Sequence, residues 1–396
     1  MPHSNTIYRQ LFTPGLRNIF SRLVSAYDAD RKTTKLTTWN QFMAVLFAQF
    51  TGRVSLRDTA AGFNSGVKKL YHLGAAPIVY NTLAHANKTR PWQLYQDLAQ
   101  ELYKLCCDAR PQSKKFKFKS RLFIMDATVI SLCLSLYPWA EYRTRKGAVK
   151  MHALLDWQGT LPAFAVITNG KTHELDAAWN PPVPPGSIVV FDRAYLDYAM
   201  LFHYNTKGVF FVTRLKSNSK WRVVGSRKTD AKKGVILDQD ILTTGSSAHK
   251  YPQTLRHIRF QAADGNVYDF LTNRFDLAAT TIAEIYKARW DIEIFFRWIK
   301  QNLKIKSFLG TSENAVMTQI WIAICSYLLL SWHKFTSGSP LALSRIISLI
   351  QLNIFSHHPL SYILHEKWKV SDPPPAFTQL LIPAQKATSF AHKRYA

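Results

Sequence analysis

RLFIMDATVISLCL, residues 121–134, places an aspartate inside a run that otherwise has the composition of a β-strand. Apolar residues precede Asp126, and VISLCL continues the strand after it, so a turn or a helix cap explains this carboxylate poorly. An ionised carboxylate inside a buried strand is costly unless a cation or hydrogen bonds compensate it. A structural and a functional role are therefore equally open for Asp126.

The segments that follow have the order of a known type of sheet. KMHALLDWQGTLPAFAVI, residues 150–167, predicts two strands joined by a turn at Asp156–Gly159, and this turn accounts for Asp156. IVVFDRAYLDYAMLFHYN, residues 188–205, predicts a strand that enters a helix, with Asp192 at the junction as either a helix cap or a functional acid. Three strands, a strand–helix pair, a strand and a final helix predict a mixed α/β sheet of the ribonuclease-H type.

The flanking sequence suggests three domains. Residues 1–115 have helical spacing, and SLRDTAAGFNS with NTLAHANKTR could form a helix-turn-helix-like, DNA-binding unit. The basic run at 110–121 is a plausible boundary before a catalytic domain at 116–333, with a β-rich insertion at about 217–272. The C-terminal segment, 334–396, has no assigned role.

Composition indicates a globular protein with a polyanionic partner. The 396 residues include 51 Lys and Arg against 25 Asp and Glu, a net charge of +26, and nucleic acid is the usual partner of such a charge. The four cysteines have no metal-ligand spacing, which predicts a reducing cytosol, no disulfides and no zinc. Residues 315–332 are apolar enough for a membrane span, but their polar interruptions favour a buried core helix and no membrane contact.

YKARWDIEIFFRWIK, residues 286–300, predicts one amphipathic helix. A narrow stripe at the edge of its apolar face carries Glu293 with four other polar residues, Tyr286, Arg289, Arg297 and Lys300. For an arbitrary helix this stripe would be a solvated row of ion pairs, each contributing about 0.3–0.5 kcal/mol. Beside two strand-end aspartates, it instead favours a helix that borders a cleft.

The three acids have the chemistry of a divalent-metal site. Asp126, Asp192 and Glu293 offer hard oxygen ligands, which suit Mg²⁺, with Mn²⁺ as an alternative. Two ions about 3.5–4 Å apart would activate a water or a 3′-hydroxyl and stabilise the leaving oxygen. Arg289 and Lys300 could then hold DNA phosphates beside the metals, with a hydrogen bond from Tyr286.

The spacing of Tyr286, Arg289, Glu293 and Lys300 resembles the Y-R-E-K signature of bacterial insertion-sequence transposases of the IS-four type. IMDATVISL at 124–132 and FDRAY at 191–195 resemble the family's sequence around its first and second aspartates. The N-terminal helical segments are similar to the DNA-binding domain found in part of the family.

This resemblance implies a DDE transposase whose triad is Asp126, Asp192 and Glu293, with two metal ions. It implies a homodimer that binds transposon-end inverted repeats, cuts through a hairpin and joins the 3′ end to target DNA. Trp290 matches a family tryptophan of the same helix. Packing is slightly favoured over DNA binding for it, and Trp221 or Tyr268 of the insertion could stack on a flipped base.

Two alternatives to an active transposase remain. A catalytically silent DNA-binding protein derived from a transposase would share the charge and the fold, but it would have no reason to keep three acids. A structure-selective nuclease would share the triad, but the long insertion and the separate helical domain count against it.

Overall fold

The computed structural model of the chain describes residues 5–31, 33–112, 115–143, 146–169, 179–305 and 307–367. The acids and the signature residues all lie within these ranges. Residues 368–396, the last part of the C-terminal segment to which no role was assigned, lie outside them.

The N-terminal third is helical, as predicted. Before residue 112 the described chain forms α1 (Ile7–Gln10), α2 (Leu16–Ala26), α3 (Thr38–Thr51), α4 (Leu56–Ser65), α5 (Val67–Leu70), α6 (Tyr80–Thr89) and α7 (Gln93–Ala109). The central helix α3 is buried along almost its whole length. Thr37 caps its first turn, and Gly52 ends it at a φ of 69°, a left-handed conformation that glycine adopts without strain.

The described strands form one mixed sheet of ten: β1 (Leu122–Leu132), β2 (Glu141–Arg143), β3 (Lys146–Asp156), β4 (Leu161–Asn169), β5 (Ile188–Phe191), β6 (Phe210–Arg214), β7 (Trp221–Ser226), β8 (Val235–Thr243), β9 (Leu255–Gln261) and β10 (Val267–Thr272). β3 pairs antiparallel with both β1 and β4, while β5 runs parallel to β1 and to β6. The resulting order β4–β3–β1–β5–β6 confirms the predicted ribonuclease-H arrangement.

The insertion continues the same sheet. β10 pairs antiparallel with β6, and β9, β8 and β7 follow outward from it. Buried ion pairs inside this extension, such as Arg256 with Asp238 at 2.7 Å, fix β8 against β9. The segment predicted as a β-rich insertion therefore extends the same sheet.

Helices cover the sheet, and the signature segment differs from its prediction. α8 (Tyr198–Thr206) follows β5, while α9 (Ala279–Lys287) and α10 (Trp290–Asn302) follow the insertion. The expectation of one helix over residues 286–300 is wrong, because a turn at residues 288–289 separates α9 from α10. Tyr286 consequently belongs to a different helix from Glu293.

The long apolar helix is α11 (Glu313–Ser337). By length and composition it could cross a membrane, but 94% of its apolar window is buried inside the protein. It packs chiefly against α7 and α3, and the Cys106 thiol donates to the backbone oxygen of Leu328 at 3.2 Å. The prediction of a core helix is confirmed.

The two ends of the described chain meet. α12 (Leu343–Asn353) and α13 (Leu360–His365) pack beside the N-terminal helices, and the backbone amides of Ile7 and Tyr8 donate to residues 356 and 354 at 2.9 Å. One hydrophobic core includes side chains from α1, β1, α10, α11 and α13. The domain boundaries at 115 and 333 stay predictions, and the segments on either side of them share this core.

Asp156 has a larger structural role than the turn to which it was assigned. Its carboxylate accepts from the Gln158 amide within the turn, and also from Arg110 at 2.6 Å, Arg121 at 2.5 Å and Tyr103 at 3.0 Å. Only 1% of the side chain is exposed. The buried carboxylate therefore connects the end of α7 to the sheet.

Candidate active site

Two of the acids are neighbours because of the parallel pairing of β1 with β5. Met125 pairs with Phe191, and Asp126 and Asp192 each follow by one residue. Alternation along β1 turns Asp126 to the same face as Ile124 and Ile130, which contribute to the core that α10 also lines. Asp126 thus faces the helix that carries Glu293.

Asp192 combines the two roles considered for it. Its Oδ1 accepts from the Ala194 amide at 3.1 Å and caps the short 3₁₀ turn Arg193–Tyr195. Among the described residues, its second carboxylate oxygen has no hydrogen-bond partner. One oxygen orients the side chain, and the other remains available to a ligand.

Arg289 joins the first and third acids. Its Nη1 lies 3.2 Å from Asp126 Oδ2, and its Nη2 lies 2.8 Å from Glu293 Oε1. Asp126 also accepts from its neighbouring amide, that of Ala127, at 2.8 Å. One guanidinium therefore holds two carboxylates that are distant in sequence against each other.

Burial and charge raise the pKa of Asp126 to about 6. Burial is the largest cause, and the nearby carboxylates of Asp192 and Glu293 raise the pKa further, while the Ala127 amide and Arg289 lower it. The charges of Asp192 and Glu293 therefore disfavour the ionised form of Asp126. Such a group of acids is stabilised by a bound cation.

A groove between β1 and α10 opens beside the acids, and we call it the β1–α10 groove. Its lining residues are Asp126, Ala127, Thr128, Glu293, Phe296, Arg297, Lys300 and Gln301. Lys300 donates to Thr128 Oγ1 at 2.5 Å and to the Val129 carbonyl at 2.9 Å. Arg297 is exposed at the groove. Two of the three cations of the predicted stripe, Arg297 and Lys300, thus border Asp126 and Glu293 along one channel.

Tyr286 and Trp290 occupy opposite environments. The Tyr286 ring is buried against Phe270, with ring centroids 5.0 Å apart. Burial, followed by the charge of Asp192, raises the pKa of Tyr286. Trp290 is 57% exposed, so core packing does not account for it, and its role in DNA binding stays a prediction.

The donor set suits a divalent metal, although the side chains do not form a closed metal site. In the described chain, no three of the His, Cys, Asp and Glu side chains are grouped closely enough to hold a metal as they stand. The guanidinium of Arg289 lies between two of the three acids. This position already accommodates positive charge, which is the requirement for a metal held by carboxylates.

The aromatic residues considered for base stacking are packed within the insertion. Trp221 is half-buried with its edge against His257, at 5.2 Å between ring centroids. Tyr268 stacks on Phe270 at 6.0 Å, and the Arg214 guanidinium lies 5.1 Å from the Tyr268 ring centre. A role for either ring in binding a flipped base stays a prediction.

Sequence reasoning missed two residues of the site. The Thr128 hydroxyl accepts a hydrogen bond from Lys300. Thr128 lies two positions after Asp126 and therefore on the same face of β1, so the alternation of side chains along the strand could have identified it. Arg214, which lowers the pKa of Tyr286, ends the strand next to β5. Its position at the sheet edge that carries Asp192 was a usable signal.

Comparison with known proteins identifies the family. The model of the transposase DDE domain matches residues 117–329, more than half of the chain. The chain belongs to the DDE transposase family. A second family model, of a domain of unknown function (DUF4372), matches residues 3–76 of the helical region.

Two relatives that match by sequence agree with this assignment. The transposase is 31% identical over 285 residues to transposase y4zB of Sinorhizobium fredii, covering 71% of this chain and 79% of the relative. It is 29% identical to a transposase for insertion sequence element IS5377 of Geobacillus stearothermophilus, covering 64% and 67%. A piggyBac transposase synaptic complex with hairpin DNA superposes with a TM-score of 0.43 and 8% identity, covering 88% and 79%.

Family membership confirms the predicted class of enzyme. The transposase is a DNA-cleaving enzyme that transfers phosphoryl groups, and DDE domains use divalent metal ions for this chemistry. The insertion-sequence family predicted from the Y-R-E-K spacing is confirmed by the family match and the named relatives.

Proposed function

We propose that this transposase binds the inverted repeats at the ends of an insertion sequence, cleaves them and joins the freed 3′ ends to target DNA. It acts in the bacterial cytoplasm as a homodimer on paired ends, and cuts the second strand through a hairpin. Asp126, Asp192 and Glu293 would hold two Mg²⁺ ions, with Mn²⁺ as a substitute.

One observation carries the proposal: Asp126 and Glu293 line the β1–α10 groove, and Asp192 follows the strand that pairs with β1. The parallel register places Asp126 beside Asp192, and a shared guanidinium joins Asp126 to Glu293. Metal ions held there would activate the attacking oxygen and stabilise the leaving oxygen of the DNA backbone.

The residues around the acids would orient the DNA. Lys300 and Arg297 border the groove and can neutralise phosphates, while the exposed ring of Trp290 can contact a base or a sugar. Tyr286 is too buried to meet DNA without a local rearrangement.

The N-terminal helices would supply sequence recognition through α4 and α6. The Asn64 side chain fixes the connection between them, because it donates to the Ile78 carbonyl at 2.8 Å and accepts from its amide at 2.9 Å. One face of α6 presents only polar side chains to solvent: Asn81, Thr82, His85, Lys88 and Thr89. Such a face has the donors and acceptors that read base edges in a major groove.

The other two classes of protein fit less well. A silent DNA-binding protein would not need three acids converging on one groove. A nuclease without strand transfer would not need the exposed recognition face of α6. No feature of the described chain favours either alternative.

A cleavage assay on the DNA that flanks the gene tests the proposal. The purified full chain is incubated with these ends and Mg²⁺, with and without EDTA, and the products are resolved on denaturing gels. Nicked, hairpin and joined products that require the metal would support it. Binding of the ends without any metal-dependent cleavage would favour the silent DNA-binding protein.

A further inference from the structure

The guanidinium of Arg289 is held in place by two of the proposed catalytic acids. Its two terminal nitrogens contact Asp126 and Glu293, and its side chain is only 12% exposed. Its Nε is buried without a hydrogen-bond partner among the described residues. The guanidinium is therefore fixed mainly by two carboxylates, and the ring centres of Tyr286 and Trp290 lie 5.9 and 5.6 Å from it.

A guanidinium between two carboxylates has the same electrostatic role as a metal ion there. It compensates like charges that would otherwise repel each other in a partly buried site. A carboxylate oxygen can accept a hydrogen bond and bind a metal at the same time, but a metal shared by Asp126 and Glu293 would lie where the guanidinium lies, and two cations so close would repel each other. Arginine and metal must therefore compete.

We propose that Arg289 is a stand-in cation, which occupies the divalent-metal position of the DNA-free transposase and must leave Asp126 before the metal binds. This inference rests on the proposed function only in taking the acids as metal ligands. The released guanidinium remains next to the β1–α10 groove, where it can form an ion pair with a DNA phosphate in place of the carboxylates.

The exchange couples metal binding to DNA binding. Without DNA, the metal has to displace Arg289 from two carboxylates with no new partner for the released charge. With DNA, the phosphate supplies that partner, so each ligand favours the other by the same factor. The transposase would then load its metals mainly when DNA is already in the groove.

Mn²⁺ binding to the DNA-free, full-length protein tests the competition directly. Isothermal titration calorimetry compares wild type with Arg289→Gln, which removes the charge but keeps most of the side-chain length. Arg289→Gln should bind Mn²⁺ about tenfold or more tightly, because the competing cation is gone. Arg289→Lys, which keeps the charge but cannot bridge both acids, should show a smaller gain.

Arg297→Gln is the matched control. It removes the same charge from the helix that follows Arg289, and in the described chain Arg297 borders the groove without an ion pair to the acids. A gain in Mn²⁺ affinity equal to that of Arg289→Gln would show a general electrostatic effect and overturn the inference. An Arg289→Gln affinity equal to that of wild type would overturn it too.

The Mn²⁺ titration, together with thermal unfolding, separates failure of this inference from failure of the proposed function. If neither wild type nor Arg289→Gln binds Mn²⁺, the acids are not metal ligands, and the proposed function fails along with the inference. If both bind it equally, through Asp126 and Glu293, only the inference fails. Thermal unfolding reports folding: Arg289→Gln should melt lower than wild type in EDTA and recover with Mn²⁺, and a variant that fails to recover would contradict a stand-in role.

DNA binding supplies a readout that does not depend on metal affinity. In EDTA, Arg289→Gln should leave the salt dependence of binding to a short duplex unchanged, because Arg289 is engaged with the acids. With Mn²⁺ present, the same substitution should reduce the slope of log K against log salt by about 0.9, the value for one phosphate contact. Equal slopes under both conditions would show that the guanidinium does not move to DNA.

Discussion

Lys300 donates a hydrogen bond of 2.5 Å to Thr128, two residues beyond Asp126 on the same strand. The contact ties the last residue of the Y-R-E-K spacing to the strand that carries the first acid. It also holds an ammonium group at the wall of the β1–α10 groove, next to the position where we propose that the scissile phosphate lies.

Lys300→Ala should weaken binding to DNA ends and reduce its salt dependence. Loss of one phosphate contact lowers the slope of log K against log salt by about 0.9. Filter binding at several salt concentrations measures it, with Lys104→Ala, an exposed lysine of α7, as the control. An unchanged slope would mean that Lys300 contacts no DNA phosphate and only forms its hydrogen bond with Thr128.

Asp126→Asn, Asp192→Asn and Glu293→Gln should each reduce cleavage by on the order of 10³-fold while retaining DNA binding, because each removes one charged metal ligand. Rates come from single-turnover cleavage of labelled ends. Asp291→Asn is a matched control, since Asp291 lies two residues before Glu293 but accepts from the Trp157 indole at 2.8 Å. Normal cleavage by any of the three variants would remove that acid from the site.

The stability of the metal-free protein should fall as the pH rises from about 4 to about 6. The folded-state pKa of Asp126, about 6, exceeds its ordinary value of 3.8, so the folded protein binds more protons than the unfolded chain in this window. The free energy of unfolding should decrease by up to about 3 kcal/mol across it. Asp126→Asn should lack this contribution.

Urea unfolding in EDTA at several pH values measures this contribution as the difference between the two proteins. A difference that does not depend on pH would show that Asp126 titrates normally. A difference that grows in the opposite direction would show that Arg289 outweighs burial at this carboxylate.

Sequence patterns predict local structure, whereas the contacts between distant segments that build the site cannot be read from them. The strand that continues past Asp126 and the apolar run before Asp192 identified both acids, and the order of strands identified the sheet. The same reasoning treated residues 286–300 as one helix, because the turn at 288–289 contains neither proline nor glycine. Contacts of Arg289 with Asp126, 163 residues away, cannot be read from spacing.

The second feature that the sequence could not predict was which distant segments are buried against each other. The turn at Asp156 was predicted correctly, but its two arginine partners lie 35 and 46 residues away in sequence and are brought in by the fold. The shared core has the same origin, since α11 is apolar on all sides and its sequence does not show which helices surround it. Removing residues 1–115 would expose this core, so surface substitutions are the sounder test of DNA recognition.

Asp156→Asn should destabilise the protein by about 3 kcal/mol, because it leaves buried arginine charge uncompensated. The midpoint of urea unfolding reports the loss. Asp28→Asn is the control, because Asp28 pairs with Arg31 at a site where both side chains are more than 60% exposed, and its loss should cost less than about 1 kcal/mol. Similar midpoints for the two variants would contradict a structural role for the buried carboxylate.

The exposed face of α6 should determine which DNA sequence is bound. His85→Ala should lower affinity for the element's ends by about 1–3 kcal/mol while leaving affinity for unrelated DNA unchanged, as expected when a base contact is lost. Lys88→Ala should weaken both about equally, as expected for a phosphate contact. Competition binding with end and unrelated duplexes measures the two affinities, and Asn18→Ala on the exposed face of α2 controls for nonspecific surface effects. If His85→Ala and a matching substitution at Asn81 both keep the full preference for the ends, recognition must come from another element. Such a result would not reflect a loss of the fold, because both side chains project into solvent and neither is part of the shared core.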